Sequence, residues 1–239
     1  MAGARVERER AGDRIAWRKH YGERGRRWRI AALRWLARRL GTRSLLAPAP
    51  QDGEAACRTE QAMIRRLAAL GARVPEVLEA QPRQLLLSDL GPTLASLCRA
   101  ETDPGRRERM LAAGLDAILR LHAAGGHLSQ AFARNITLGE DGIGFIDLEE
   151  DPGTTMPLAA AQARDLLFYA HSTARFLSSR PGLHAGLMAE GLARSAPEVR
   201  AEVALVVRRL RWLAPVSRLF GRRAGEFAVA LDSLHQASA

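Results

Sequence analysis

The chain has 239 residues, 47% hydrophobic and 26% charged, which is enough apolar sequence to bury a core and excludes an intrinsically disordered protein. The formal net charge of +10 is concentrated at one end, because residues 1–43 carry 14 basic and four acidic side chains, whereas the remaining 196 residues carry 22 of each. Cys57 and Cys98 are far apart and without metal-ligand spacing, which argues against a disulfide framework or a zinc site.

The first ten residues, MAGARVERER, carry charges where a secretory signal needs an apolar segment. No run reaches the roughly 18 apolar residues that a membrane-spanning helix requires. We therefore expect a cytoplasmic protein.

The first predicted strand contains the only lysine of the chain. Residues 1–13 are polar and are expected to fray, whereas Arg14–Tyr21 alternates in character and predicts a short strand with Ile15, Trp17 and Lys19 on one face. The other 35 basic residues are arginines. A single lysine in such a chain indicates a position that needs a compact ammonium group, the alternative being an ordinary surface lysine.

A predicted helix over Arg26–Leu40 follows, with an apolar arc whose Trp28 and Trp35 are expected to pack in the core or at an interface. Three arginines form a separate stripe on it, at spacings of seven and four residues: Arg27, Arg34 and Arg38. Such a stripe suits an anionic membrane surface or a phosphorylated glycolipid. A purely structural helix is the second interpretation, and nucleic-acid binding is the third.

The middle of the chain predicts further helices and strands. Glu54–Leu70 is a helix that Gly71 ends, and Arg106–His122 is another. Between them, residues 77–90 contain two strand-like runs, the second at Gln84–Leu87, and a turn follows at residues 89–92. Beyond Pro157 we expect only helices, at about 161–178, 183–192, 198–212 and 221–235.

The segment over residues 121–151 is the most informative part of the sequence. It predicts a helix end, a loop ending in Asn135, a hairpin, and Asp147 leaving the second strand. Because Asn135 and Asp147 stand at the two ends of the hairpin, their side chains can converge. An amide oxygen and a carboxylate are ligands that suit Mg²⁺ together with substrate phosphates. The alternative is that Asn135 ends the loop and Asp147 begins a turn, and that neither binds a ligand.

The order of these features resembles the protein-kinase-like superfamily. That order is a strand lysine, a helix glutamate, a hinge-like turn, a helix ending in Leu-His, a loop ending in Asn, a hairpin and Ile-Asp. The resemblance is to the small atypical bacterial branch that includes lipopolysaccharide core (Kdo/heptose) kinases and Bud32-like kinases. It covers about residues 14–178.

The resemblance implies a role for several residues. Lys19 would contact the phosphates of ATP and pair with Glu60, for which a solvated helix position, or Glu54 as the partner, is the alternative. Asn135 and Asp147 would hold Mg²⁺. Asp165 would brace the catalytic loop. The hinge that holds adenine would comprise Ser88, Asp89 and Leu90.

The catalytic loop departs from the family pattern. Gln130 stands where the family has its catalytic Asp, and the Asp-Phe-Gly motif is replaced by Asp147-Leu148-Glu149. A general base contributes about 10²–10⁴-fold to such reactions, so its loss leaves either a slow kinase or a pseudokinase. The acidic run Glu149–Asp151 either contacts metal or substrate or is a solvated turn.

The sequence therefore predicts an α+β, two-lobed protein-kinase-like fold, with an N-lobe over residues 1–90 and a helical C-lobe over residues 91–239. The implied function is Mg-ATP-dependent phosphorylation of a hydroxyl on a lipopolysaccharide-core sugar or a protein Ser/Thr. The alternatives are a nucleotide-sensing or scaffold pseudokinase and a basic membrane- or nucleic-acid-binding module. We expect peripheral association with the inner face of the membrane, with nucleic acid the lowest-ranked partner.

Overall fold

The computed structural model describes residues 5–22, 35, 37–46, 48, 51, 53–128, 130–210 and 222–238. These residues form an α+β fold with a small antiparallel sheet and a larger helical part, as the sequence predicts. The strands are β1 (Arg5–Ala11), β2 (Arg14–His20), β3 (Val77–Gln81), β4 (Gln84–Ser88), β5 (Ile136–Gly139) and β6 (Gly142–Phe145). The helices are α1 (Gly53–Ala69), α2 (Leu94–Ala100), α3 (Pro104–Ala123), α4 (Leu158–Thr173), α5 (Pro181–Ala193), α6 (Pro197–Leu210) and α7 (Arg222–Ser238).

The main sheet has the antiparallel order β1-β2-β4-β3, and β5 and β6 form a separate hairpin. The expectation that residues 1–13 fray is wrong for Arg5–Ala11, which pairs with β2 along its whole length, and residues 1–4 lie outside the described residues. Its charged sequence lacks the alternation of a half-buried strand, since β1 lies at the sheet edge and leaves many side chains exposed. An ion pair between Glu9 and Arg18, 2.7 Å apart, also joins β1 to β2.

Helix α1 buries one stripe of side chains at helical spacing, which includes Cys57, Glu60, Met63 and Leu67. Its first residue lies against the end of β2, where a Cβ on Gly53 would collide with the backbone carbonyl of Tyr21. This contact requires glycine and fixes the start of the helix beside the strand that carries Lys19.

The helical part surrounds α4, which contacts α6 and α7 and is buried on nearly all sides. One hydrophobic cluster joins these helices to α1 and β4. The four helices expected beyond Pro157 are confirmed at α4, α5, α6 and α7. Among the described residues, no helix combines the length and the apolarity that crossing a membrane would require.

Most of the predicted helix over Arg26–Leu40 lies outside the described residues, including Trp28, Arg27 and Arg34. Trp35 and residues 37–39 are helical. Of the two expectations for Trp35, packing in the core is wrong, because Trp35 is 61% exposed with the Arg39 guanidinium over its ring. Packing at an interface stays a prediction. Arg38 is exposed as well.

The sequence did not predict α2, a short helix directly after the connection from β4. The Thr93 hydroxyl caps its start by accepting a hydrogen bond from the Ser96 N–H. The Ala95 N–H donates to the Ala133 carbonyl, and Thr93 pairs with Thr137 as an isolated bridge. These contacts fix the connection after β4 beside the loop that precedes β5.

Candidate functional site

The main cavity lies between the sheet and the hairpin and has a volume of about 520 Å³. Its wall takes residues from β2, α1, the connection after β4, and the segments on either side of the β5–β6 hairpin. Of the residues predicted from the sequence to form a site, this wall includes Lys19, Glu60, Ser88, Asp89, Leu90, Asn135 and Asp147.

Lys19 is the centre of a charged cluster in this wall. Its Nζ lies 2.7 Å from Glu60 Oε2, 2.7 Å from Asp147 Oδ1 and 3.6 Å from Glu149 Oε2. The Lys19 side chain is only 8% exposed. The interpretation of Lys19 as an ordinary surface lysine is therefore wrong.

Electrostatics keep this buried ammonium charged. Burial by itself would lower the pKa of Lys19, but the carboxylates of Glu60, Asp147 and Glu149 outweigh it and raise the pKa above its usual value. The cavity therefore presents a permanent cation at neutral pH.

Glu60 accepts hydrogen bonds from three donors, one of which is Lys19. Glu60, and not Glu54, is therefore the ion-pair partner of Lys19. Besides Lys19, it accepts hydrogen bonds from the Tyr21 hydroxyl at 2.6 Å and from the Leu148 N–H at 3.2 Å. Glu54 instead pairs with Arg58 on the exposed side of α1. Burial and the Glu60 carboxylate raise the pKa of Tyr21 far above its usual value.

Tyr21 is a residue that the sequence interpretation missed. It stands two positions after Lys19, so the alternation that put Ile15, Trp17 and Lys19 on one face of the strand also extends to Tyr21.

The hairpin brings Asn135 and Asp147 to the same wall. The Asn135 amide nitrogen donates to the Gln130 carbonyl at 3.0 Å, which leaves its amide oxygen to bind another group. The Asn135 carbonyl accepts from the Ile146 N–H at 2.9 Å, so the two ends of the hairpin are joined. Asp147 has a positive φ of 62°, a strained backbone conformation that aspartate adopts more readily than most residues.

The described residues contain no group of three or more His, Cys, Asp or Glu side chains that could hold a metal ion. A hard cation at this wall would therefore take its protein ligands from Asp147 and the Asn135 amide oxygen. Oxygen atoms of this kind, completed by water or phosphate, suit Mg²⁺.

Asp165 is fully buried in α4 and contacts the loop that follows α3. Its Oδ2 accepts hydrogen bonds from the Leu128 N–H at 2.8 Å and from His122 Nε2 at 3.0 Å. The helix thus fixes the beginning of the loop that ends in Asn135. His122 is a packed histidine whose side chain is 7% exposed, away from the cavity wall.

The connection after β4 uses its side-chain polar groups internally. Asp89 Oδ1 accepts from the Trp17 indole N–H at 2.8 Å and from the Gly91 N–H at 3.2 Å. The Ser88 hydroxyl accepts from the Glu76 N–H at 2.8 Å. The Ser88 and Asp89 N–H groups already donate to the Glu76 and Ile15 carbonyls, at 3.0 and 3.3 Å. A ligand beside Ser88, Asp89 and Leu90 would therefore meet the Leu90 N–H as the backbone donor of this segment.

Gln130 stands apart from the other predicted site residues. Its carbonyl holds Asn135, but its side chain does not belong to the cavity wall, and its amide oxygen lies 3.5 Å from Arg134 NH2. Arg134 lines the cavity instead, a residue that the sequence interpretation did not select.

The acidic run after Asp147 is held by basic side chains from other elements. Glu149 lies near Lys19, Glu150 lies 3.9 Å from Arg164, and Asp151 lies 3.2 Å from Arg66. These contacts hold the run against the protein, so it is not a solvated turn, and its member in the cavity wall is Glu149.

The chain matches no protein-family model, and no curated protein sequence matches it. Its function is therefore inferred from the cavity and its charged wall.

Proposed function

We propose that this chain is an atypical kinase that binds Mg-ATP in the main cavity and transfers the terminal phosphoryl group to a hydroxyl acceptor. The observation that carries the proposal is the Lys19 ammonium, which is 2.7 Å from both Glu60 and Asp147 in the wall of a 520 Å³ cavity. A charged lysine oriented by two carboxylates is suited to contact phosphate oxygens.

The proposal includes the two-lobed arrangement of a protein-kinase-like fold, divided near residue 90. The main sheet and α1 precede that point, and most helices follow it. The adenine would lie beside Ser88, Asp89 and Leu90, where backbone groups can recognise its edge. The acceptor is a lipopolysaccharide-core sugar or a protein Ser/Thr.

The wall residues fit a magnesium ion that arrives with the nucleotide. Asp147 supplies a carboxylate and Asn135 an amide oxygen, and the phosphates of ATP would complete the shell. When bound, the ion neutralises the charge that develops on the phosphoryl oxygens.

The transfer needs little from a general base. The acceptor oxygen attacks the terminal phosphorus, the bond to the bridging oxygen breaks, ADP leaves, and the hydroxyl proton passes to water. A loose transition state makes positioning and charge neutralisation the main contributions. Because Gln130 cannot act as a base, we expect a slow turnover.

Thermal unfolding with ATP and Mg²⁺ tests this proposal. Binding to the native state at a 100-fold excess over Kd should add about 2.7 kcal/mol to the free energy of unfolding. We expect the increase in wild type to need both ATP and Mg²⁺ and to disappear in Asp147→Ala, because that variant loses a carboxylate of the site.

Asp141→Ala is the matched control. Asp141 lies in the turn of the same hairpin, its side chain is 82% exposed, and it pairs only peripherally with Arg73. It should keep the ligand-dependent increase. An unchanged unfolding temperature of wild type at millimolar Mg-ATP would contradict the proposal.

A second candidate is a pseudokinase that binds nucleotide without transferring phosphate and acts as a sensor or scaffold. The position of the Gln130 side chain outside the cavity wall favours it. Phosphate transfer separates the two candidates, because the pseudokinase would show the Mg-ATP-dependent stabilisation and no release of ADP with any hydroxyl acceptor.

A further inference from the structure

A second, smaller cavity lies next to the main one, with a volume of about 130 Å³. Three short segments meet in its wall: α2, the loop before β5, and the end of α4 with the turn after it. The described residues in this wall include three arginines, Arg99, Arg134 and Arg175, and no acidic residue.

Contacts within the protein hold two of these arginines in place. The Arg134 guanidinium lies over the Phe132 ring, 4.2 Å from its centroid, and Phe132 in turn stacks on Phe168 at 4.6 Å. The Arg99 Nε donates to the Ala95 carbonyl at 2.9 Å. Each guanidinium keeps further N–H groups for a ligand. Because the two side chains are already held in place, they lose little conformational entropy when a ligand binds.

Two of the three arginines, Arg99 and Arg134, are not neutralised by a nearby acid among the described residues. Neither Arg99 nor Arg134 forms an ion pair with a carboxylate in the part of the chain that the structure describes. Like charges gathered around a concave surface repel each other and attract an anion. Planar guanidinium groups bind phosphate through paired, charge-assisted hydrogen bonds.

We propose that the small cavity binds the phosphate group of a phosphate monoester and that this group belongs to the acceptor. Arg134 lines both cavities, so a phosphate held in the small one is close to the site that would hold ATP. The acceptor role rests on the proposed kinase function, whereas phosphate binding does not. The acceptor is then a hydroxyl compound that already carries a phosphate.

Titration calorimetry with glycerol 3-phosphate tests the binding site. We expect binding to wild type, at least about tenfold weaker binding to Arg99→Gln, and partial recovery in Arg99→Lys. Arg99 is exposed and lines only the small cavity, so its replacement should leave the fold intact. Arg208→Gln on α6 is the control, because Arg208 is exposed and lines neither cavity.

Excess Mg-ATP separates the two cavities. Binding of glycerol 3-phosphate that persists with Mg-ATP and depends on Arg99 supports the proposal. Binding that Mg-ATP abolishes and that Arg99→Gln leaves unchanged places the phosphate in the main cavity and overturns it. No binding to wild type at millimolar glycerol 3-phosphate also overturns it.

Phosphate transfer tests the acceptor role. Faster release of ADP with glycerol 3-phosphate than with glycerol, at a KM that Arg99→Gln raises, supports it. Equal rates with both compounds overturn the acceptor role while leaving the kinase proposal standing. Arg99-dependent binding without any ADP release counts against the kinase proposal and leaves the phosphate site standing.

Vesicles identify the source of the phosphate. If the phosphate belongs to a lipid, phosphatidylcholine vesicles containing phosphatidic acid should sediment wild type and Arg208→Gln more than Arg99→Gln. Equal sedimentation of the three proteins would assign the site to a soluble phosphate monoester.

Discussion

Lys19 in the cavity wall and His184 in the helical part are both basic side chains removed from solvent, and their pKa values shift in opposite directions. Burial would lower the pKa of Lys19, but the three carboxylates around it raise the pKa. Burial lowers the pKa of His184 to about 4. The ring nitrogens of His184 contact the hydroxyls of Thr173 and Ser233 at 3.1 and 2.9 Å.

The comparison shows how the surroundings of a buried base decide its charge. Burial alone favours the neutral form of a base, and only nearby acids can reverse this. The helical part uses its buried histidine as a neutral hydrogen-bonding group. The cavity wall retains a buried cation together with carboxylates, which is a costly arrangement for stability and a useful one for binding phosphate.

Replacing Lys19 should produce the largest effect on stability. Lys19→Met leaves the Glu60 carboxylate buried with only the Tyr21 hydroxyl and the Leu148 N–H as donors. We expect a loss of about 3–5 kcal/mol in the free energy of unfolding, measured by urea denaturation at pH 7. Part of it should return in Lys19→Met/Glu60→Met, because the most deeply buried of the three carboxylates is removed, whereas Asp147 and Glu149 are closer to solvent.

Arg18→Met is the control for that experiment. Arg18 precedes Lys19 on β2 but pairs with Glu9 and Glu79 near the surface, so its loss should cost less. If Lys19→Met were as stable as wild type, Lys19 would not be needed to neutralise the buried Glu60 carboxylate. The contrast between the charged Lys19 and the neutral His184 would then have no energetic basis.

Protonation of His184 should lower the free energy of unfolding by a smaller amount, and only at acidic pH. Its pKa is lower in the folded protein than the usual 6.5, so the unfolded chain binds the proton more readily. The resulting stability is present above pH 6.5 and is lost as the pH falls towards 4. The full loss corresponds to about 3 kcal/mol.

His184→Gln isolates this contribution. The variant can keep hydrogen bonds to Thr173 and Ser233 but has no group that titrates. Urea denaturation at pH 7, 5.5 and 4 should therefore show a smaller decline for His184→Gln than for wild type. Parallel declines of the two proteins would mean that His184 is not a source of acid sensitivity.

Asp165 should give the smallest of the three effects. Asp165→Asn keeps the shape of the side chain but removes the charge that accepts from His122 and the Leu128 N–H, which we expect to cost about 2 kcal/mol. Asp116→Asn, on the surface of α3 beside Arg120 and Arg194, should change stability less. A larger loss for Asp116→Asn would contradict the bracing role of Asp165.

Some residues of the cavity wall could be predicted because their residue type or their position in the sequence is distinctive. Lys19 was conspicuous as the only lysine, and Asn135 and Asp147 were placed by the hairpin between them. Glu60 could not be separated from Glu54 by spacing alone, because the choice depends on which side of α1 faces β2. The three-dimensional packing decides it.

Two other features, the strand β1 and the small cavity, could not be predicted from the local sequence pattern. β1 has charges at most of its positions and lacks the apolar alternation that predicts a strand. Its strand conformation depends on its pairing with β2 in the folded protein. The small cavity is assembled from Arg99, Arg134 and Arg175, which are separated by 35 and 41 residues in the chain. No periodicity within one segment predicts such a meeting.

The charged sequence of β1 has a consequence for the behaviour of the protein in concentrated solution. Among the described residues β1 is an edge strand, and the backbone groups on its outer side are ones that another chain could use to extend the sheet. Five of its seven residues are charged and of both signs, so a second strand approaching this edge would have to desolvate arginines and glutamates. The segment therefore protects the sheet against aggregation while it contributes Val6 to the main cavity.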